Sequence, residues 1–154
     1  MLFPRQIERD PAGVRLHFRE DEVLLLRDLL AELEALLREP DDPGLRRLFP
    51  PAHADRDSEE QYRSLVRDQL VAGRSSALVA VRHTLGRETL SHEEADAWLR
   101  VLNDLRLVLG THLDVTEEID YENLDPREPR GRDLAVYGYL SWLQEQLVEA
   151  LGEV

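Results

Sequence analysis

The sequence predicts a mainly α fold: a bundle of five or six helices carrying an N-terminal β-hairpin. Three observations carry that expectation. Apolar residues recur at helical spacing over several long stretches between residues 20 and 151. Two stretches open on a Ser with a Glu or Gln three residues later, Ser58 with Gln61 and Ser91 with Glu94, the capping-box start of a helix. Residues 5–19 alternate apolar and polar on both sides of Asp10-Pro11-Ala12-Gly13. The length, 154 residues, suits one domain: hairpin 5–19, bundle 20–151.

In the hairpin, Asp-Pro-Ala-Gly suits a type I turn with a glycine able to take positive φ. Ile7, Val14, Leu16 and Phe18 give it one apolar face, which must pack on helices because a lone hairpin is marginal. Glu20 to Glu39 follows as a helix, with Val23, Leu26, Leu29, Leu30, Leu33, Leu36 and Leu37 as its stripe, acids in its first turn and Pro40 as its stop. Leu24 lies off that stripe. Pro40 to Asp57 is a connection with one helical turn at Leu45–Phe49. Arg46-Arg47 beside Phe49 is a weak binding signal against a solvated turn.

From Ser58 to Leu85 the stripe Tyr62, Val66, Leu70, Gly73, Ala77, Val81 keeps helical phase. The stretch reads as one helix, or as two broken near Gly73–Ser76. The broken form is a faint echo of a helix-turn-helix, with only Arg74, Arg82 and His83 as basic groups in its second half. The small residues Gly73, Ser75, Ser76, Ala77 and Ala80 otherwise suit close helix packing.

Ser91 to Leu113 is the central helix. Ala95, Trp98, Leu102, Leu105 and Leu109, widened by Val101 and Val108, make a face broad enough for several neighbours. Arg106 falls on its flank, between Ala95 and Leu99. A guanidinium there snorkels outward or pairs with a carboxylate, a structural role; the alternative is a ligand anion held by Arg106 with Asn103 one turn earlier.

His112 to Asp125 is acidic, with Asp114, Glu117, Glu118, Asp120, Glu122 and Asp125, and lacks the spacing of an EF-hand loop. It reads as a solvated segment with a short helix capped by Thr116. Asp133 to Leu151 is the last helix, with Leu134, Val136, Tyr137, Leu140, Leu143, Leu147, Val148 and Leu151 on its apolar face. Trp142 lies off that face, between Ala135 and Glu149, on the side of Glu145 and Gln146. Ala135, Gly138 and Tyr139 surround it. An aromatic among small residues on a polar side is the pattern of an interface anchor; the bland alternative is that the segment 113–130 covers it.

The run WLRVLNDLRLVLGTHL, followed by DVTEEID and VYGYLSWLQEQLVEAL, resembles an actinobacterial family, the domain-of-unknown-function family numbered two thousand and seventeen. The resemblance covers most of the chain, and WLxxLNDLRLxLG is its specific part. Members are commonly encoded beside the gene for the ClpS adaptor of the Clp protease. The resemblance implies an intracellular helical protein and supplies no catalytic residues.

Composition narrows the function. There is no cysteine, so disulfides, thiolate nucleophiles and cysteine-ligated zinc are excluded from this sequence. The net charge of −13, from 19 basic and 32 acidic residues, opposes nucleic acid and anionic membranes. Every basic residue is Arg, which removes Schiff-base and P-loop lysines. No apolar run approaches the roughly 20 residues that span a bilayer, and no signal-peptide pattern opens the chain, so a cytoplasmic protein is expected. His92 and Asp96 share a helix face, and with His112 they form a weak alternative metal set; otherwise no metal and no cofactor is expected. No catalytic constellation is legible, and the sequence leans away from an enzyme. The expected function is a protein-interaction or regulatory module, linked to Clp proteolysis by gene neighbourhood alone. Its partner is another protein or a second copy, and Ala135, Gly138, Tyr139 and Trp142 are its candidate contacts, together with the acidic segment. A DNA-binding regulator and a metal-dependent enzyme are the alternatives.

Overall fold

The computed structural model describes residues 5–38, 56–113, 125 and 127–152, with the side chains of 56–64, 66 and 67 outside the description. Its elements run β1 (Ile7–Asp10), β2 (Gly13–Leu16), α1 (Glu20–Leu37), α2 (Arg56–Thr84), β3 (Thr89–Ser91), α3 (His92–Leu113) and α4 (Pro129–Gly152). Four helices are thus described, where five or six were expected. The one-turn helix expected at Leu45–Phe49 and the short helix capped by Thr116 lie outside the described residues.

The hairpin forms as expected. β1 and β2 pair antiparallel from Ile7↔Leu16 to Asp10↔Gly13. Asp10 Oδ1 accepts the N–H of Ala12 at 3.0 Å, an Asx-type closure of the turn. Ile7, Val14 and Leu16 are buried, and Phe18 stacks on Trp98 of α3 at 5.7 Å. A third strand, unexpected from the sequence, completes the sheet in the order β1-β2-β3. β3 pairs Val14↔Leu90, and here Gly13 becomes obligatory: a Cβ on it would stand 2.0 Å from the Leu90 carbonyl oxygen. Ser91 then opens α3 through its capping box. Its hydroxyl accepts the Glu94 N–H at 3.1 Å, and the Glu94 carboxylate accepts the Ser91 N–H at 2.9 Å.

α2 is one continuous helix. Gly73 does not break it, because a single interior glycine costs only about 1 kcal/mol and helix formers flank it. The helix-turn-helix echo therefore does not form. The expected stripe of α2 is corrected in part. Ala77 and Val81 are buried, with Leu78, but Leu70 and Gly73 are exposed. Nothing lies within 4 Å of a Cβ built on Gly73, so it serves no close helix packing.

α3 lies between α2 and α4 and also meets α1 and the sheet. The core gathers Leu26, Leu30 and Leu33 of α1, Trp98, Leu102 and Leu105 of α3, and Leu140, Leu143 and Leu147 of α4 against Ile7, Val14 and Leu90 of the sheet. Trp98 is polar-satisfied as well as packed: its indole N–H donates to Thr84 Oγ1 at 2.7 Å. On α4 the expected apolar face holds except at Val148, which is 50% exposed. Among the described residues, no helix is long and apolar enough to cross a membrane.

Candidate functional site

The Trp142 side of α4 is built from the start of α1. Glu22 occupies the first turn of α1, where a carboxylate faces the helix N-terminus. It is only 6% exposed. One oxygen accepts the Arg19 backbone N–H at 2.8 Å, and the other accepts the Tyr139 hydroxyl at 3.0 Å. Burial, reinforced by the Glu22 charge, pushes the Tyr139 phenol well above its ordinary range, so it stays a donor. Tyr139 in turn meets Trp142, with ring centroids 6.4 Å apart and planes tilted by 54°. Trp142 is 39% exposed. The structure therefore brings together two of the four predicted contact residues, Tyr139 and Trp142. Gly138 lies one turn before Trp142 and is half-buried; Ala135 lies one turn before Tyr139 and is exposed. Helical spacing puts all four on one side of α4. Gln146, on the side that the sequence reads as polar, is buried. It is 4% exposed, and its Oε1 accepts the backbone N–H groups of Gln6 at 3.0 Å and Ile7 at 3.2 Å, covering the edge of β1. Residues 114–124, which include most of the acidic segment, lie outside the description.

Arg106 is half-buried, and its Nε is buried without a hydrogen-bond partner. Among the described residues no carboxylate pairs with it. Asn103 Oδ1 accepts a long hydrogen bond, 3.4 Å, from Gln144 Nε2 of α4.

The alternative metal set does not converge. His92 and His112 are twenty residues apart on one helix, about 30 Å at a rise of about 1.5 Å per residue. No group of three His, Cys, Asp or Glu among the described residues is placed to hold a metal ion.

A second polar feature escaped the sequence analysis. Arg74 of α2 and Asp104 of α3 form an ion pair across the helix interface, and Asp104 is 4% exposed. Burial raises the Asp104 pKa, outweighing the lowering by Arg74 and Arg100. The pair lines a cleft of about 330 Å³ with Gln69, Leu70, Gly73, Ala77, Arg100 and Asn103. A signal was present: Asp104 lies three residues after Val101 and four before Val108, on the margin of the apolar face.

These features define a small helical domain with a braced aromatic surface on its last helix and no assembled catalytic centre among the described residues. The chain belongs to the family described as a domain of unknown function, DUF2017, whose model matches residues 4–151. It is similar to the putative oxidative stress regulator AosR of Mycobacterium leprae, 33% identical over an alignment of 130 residues that covers 73% of this chain and 59% of that protein. The oxidative stress regulators AosR of Mycobacterium tuberculosis and Mycobacterium bovis are each 31% identical over the same coverage. The chain thus spans 59% of the length of these relatives. No solved structure matches it significantly.

Proposed function

We propose that the chain is a regulatory module acting through protein contacts made by the Trp142–Tyr139 side of α4, with no catalysis of its own. The observation that carries this is Trp142, a large aromatic left 39% exposed yet held against a tyrosine that is itself anchored to Glu22. A rigid aromatic of this kind loses little conformational freedom when a partner covers it, which makes it an efficient anchor. The regulatory part rests on the relatives, which are named as oxidative stress regulators. This sequence contains no cysteine and only the methionine at position 1. A response to oxidants routed through these residues therefore uses no thiol of theirs; the chemistry of oxidation falls to a partner, and this chain transmits by binding.

The test has two parts. Mass in solution is measured by light scattering for wild type and Trp142→Ala, with circular dichroism to check the fold. A dimer that becomes a folded monomer places Trp142 at a self-interface. In parallel, a strain lacking the gene is complemented with each form and challenged with peroxide. Failure of folded Trp142→Ala to restore the response supports the proposal. Two monomers with full complementation by the variant refute it. The DNA-binding alternative returns only if the chain shifts DNA at low salt in a salt-sensitive way.

A further inference from the structure

The Trp142 side of α4 carries an ordered pattern of charge and size. In chain order its residues run cation, small, small, aromatic, aromatic, anion: Arg132, Ala135, Gly138, Tyr139, Trp142 and Glu145, all within α4. At about 100° per residue, Ala135 and Trp142 stand at the middle of one face, Gly138 and Tyr139 lie to either side of them, and Arg132 and Glu145 lie on opposite flanks. Trp142 is 39% exposed, and Ala135 is exposed too. Tyr139 donates to Glu22 at 3.0 Å and meets the Trp142 ring, so the aromatic pair is held in place before any contact. Arg132 and Glu145 are both exposed, and among the described residues neither makes an ion pair or a side-chain hydrogen bond. Glu149, the next acid on this face, is already bridged to Arg5 at 3.0 Å. Two antiparallel copies of a helix, related by a two-fold axis between positions 138 and 139, bring together residues equally far on either side of that axis. Trp142 of one copy then covers Ala135 of the other, Tyr139 covers Gly138, and Arg132 reaches Glu145, each contact occurring twice.

We propose that this face binds a second copy of the chain, α4 packed antiparallel on α4 in that register. The inference rests on the reading of the Trp142 surface as a protein contact, and it names the partner. Complementarity carries it. Large side chains meet small ones at the centre, and unpaired opposite charges meet on the flanks, where charge sets partner and orientation between helices. A parallel pair would lose both features, setting Trp142 on Trp142 and Arg132 on Arg132. Ala135 and Gly138 let the two axes approach to about 8 Å, the close end of helix packing. The contact spans only about 20 Å of helix, less than an interface of about 800 Å² per partner needs, so the dimer is weak, with a Kd of about 10 μM to 1 mM. The net charge of −13 on each copy opposes the encounter, and salt at about 0.15 M screens that repulsion beyond about 8 Å.

Sedimentation equilibrium of the full chain, up to about 1 mM in about 0.15 M salt, is measured for wild type, Arg132→Glu, Glu145→Arg and an equimolar mixture of the two variants. Both positions are exposed and helical, and Glu and Arg are both good helix formers, so the variants keep their fold, which circular dichroism checks. Wild type is expected to dimerise. Each variant alone sets like charges together twice and dimerises at least about tenfold more weakly. Glu145→Arg also lowers the net negative charge, so its loss is not general repulsion. The mixture restores an opposite pair at both sites and recovers the wild-type affinity. Wild type that stays monomeric at about 1 mM overturns the proposal. So do variants that dimerise alone as wild type does, and so does a mixture no stronger than either variant. If wild type is monomeric while folded Trp142→Ala still fails to restore the peroxide response, self-pairing is overturned and the Trp142 surface belongs to a different protein; the two readings therefore fail separately.

Discussion

Replacing Gln146 by Leu tests how the N-terminal sheet is held to the last helix. Leucine is close to glutamine in volume, so the change removes an acceptor without opening a large cavity. The lost acceptor served two backbone N–H groups, those of Gln6 at 3.0 Å and Ile7 at 3.2 Å. Ile7 is fully buried, so its N–H cannot turn to water, and leaving it unpaired costs about 1–3 kcal/mol. Gln6 is half-buried and recovers hydration, so its loss adds about 0.5–1 kcal/mol. Extra apolar burial by leucine returns about 1 kcal/mol. The net is a destabilisation of about 0.5–3 kcal/mol, or a fall of about 1–12 °C in melting temperature for a chain of this length. Urea unfolding gives the free energy, and hydrogen exchange at the Ile7 amide locates it. Gln146→Glu keeps an acceptor and so preserves Ile7 protection, even though it buries a charge. A leucine variant within about 0.5 kcal/mol of wild type, with Ile7 exchange unchanged, would refute the assignment.

Further outcomes follow from the same geometry. Gly73→Ala stabilises the chain by about 0.5–1 kcal/mol in urea unfolding, because the position is helical and its Cβ meets nothing. Gly13→Ala destabilises it by more than about 2 kcal/mol and weakens exchange protection across β3, because its Cβ collides with the Leu90 carbonyl. Tyr139 ionises at higher pH in the folded chain than in the unfolded one, whose phenol titrates near 10.0. Its contribution is therefore intact below that pH and is lost as pH rises beyond it; Tyr139→Phe flattens the alkaline limb of the stability profile. Asp104 also has a raised folded pKa, above 3.8. Its protonation favours the fold, so wild type gains stability relative to Asp104→Asn as pH falls through the folded pKa toward 3.8, measured by urea midpoints across that range.

Much of the fold was legible because local patterns report local geometry. Period-two alternation around Asp10-Pro11-Ala12-Gly13 identified the hairpin, and Ser91 with Glu94 marked the start of α3. β3 was not legible: three residues are too few to alternate visibly, and Leu90 pairs with Val14, far away in the chain. The glycine of the turn was recognised for its φ, which is +150°; the carbonyl of Leu90, which independently forbids a side chain there, was not legible. The stripe of α2 was in phase, yet Leu70 and Gly73 open onto a cleft because Arg74 and Asp104 stand where apolar contacts would close it. Tyr139 and Trp142 were both singled out, but the Glu22 carboxylate that braces them, 117 positions from Tyr139, was not.

By itself, the sequence determined where the helices and hairpin lie, the acidic balance of the chain and the absence of thiol chemistry. Periodicity and composition suffice for these, since each is a property of neighbouring residues or of the sum. Tertiary structure alone decided which polar side chains are buried. Helical angle says which way a residue points but not what lies opposite. Gln146 meets the Ile7 amide 139 positions away, and Asp104 meets Arg74 30 positions away. Those encounters turn a glutamine and an aspartate, ordinarily left to solvent, into the fastening of a sheet and the floor of a cleft.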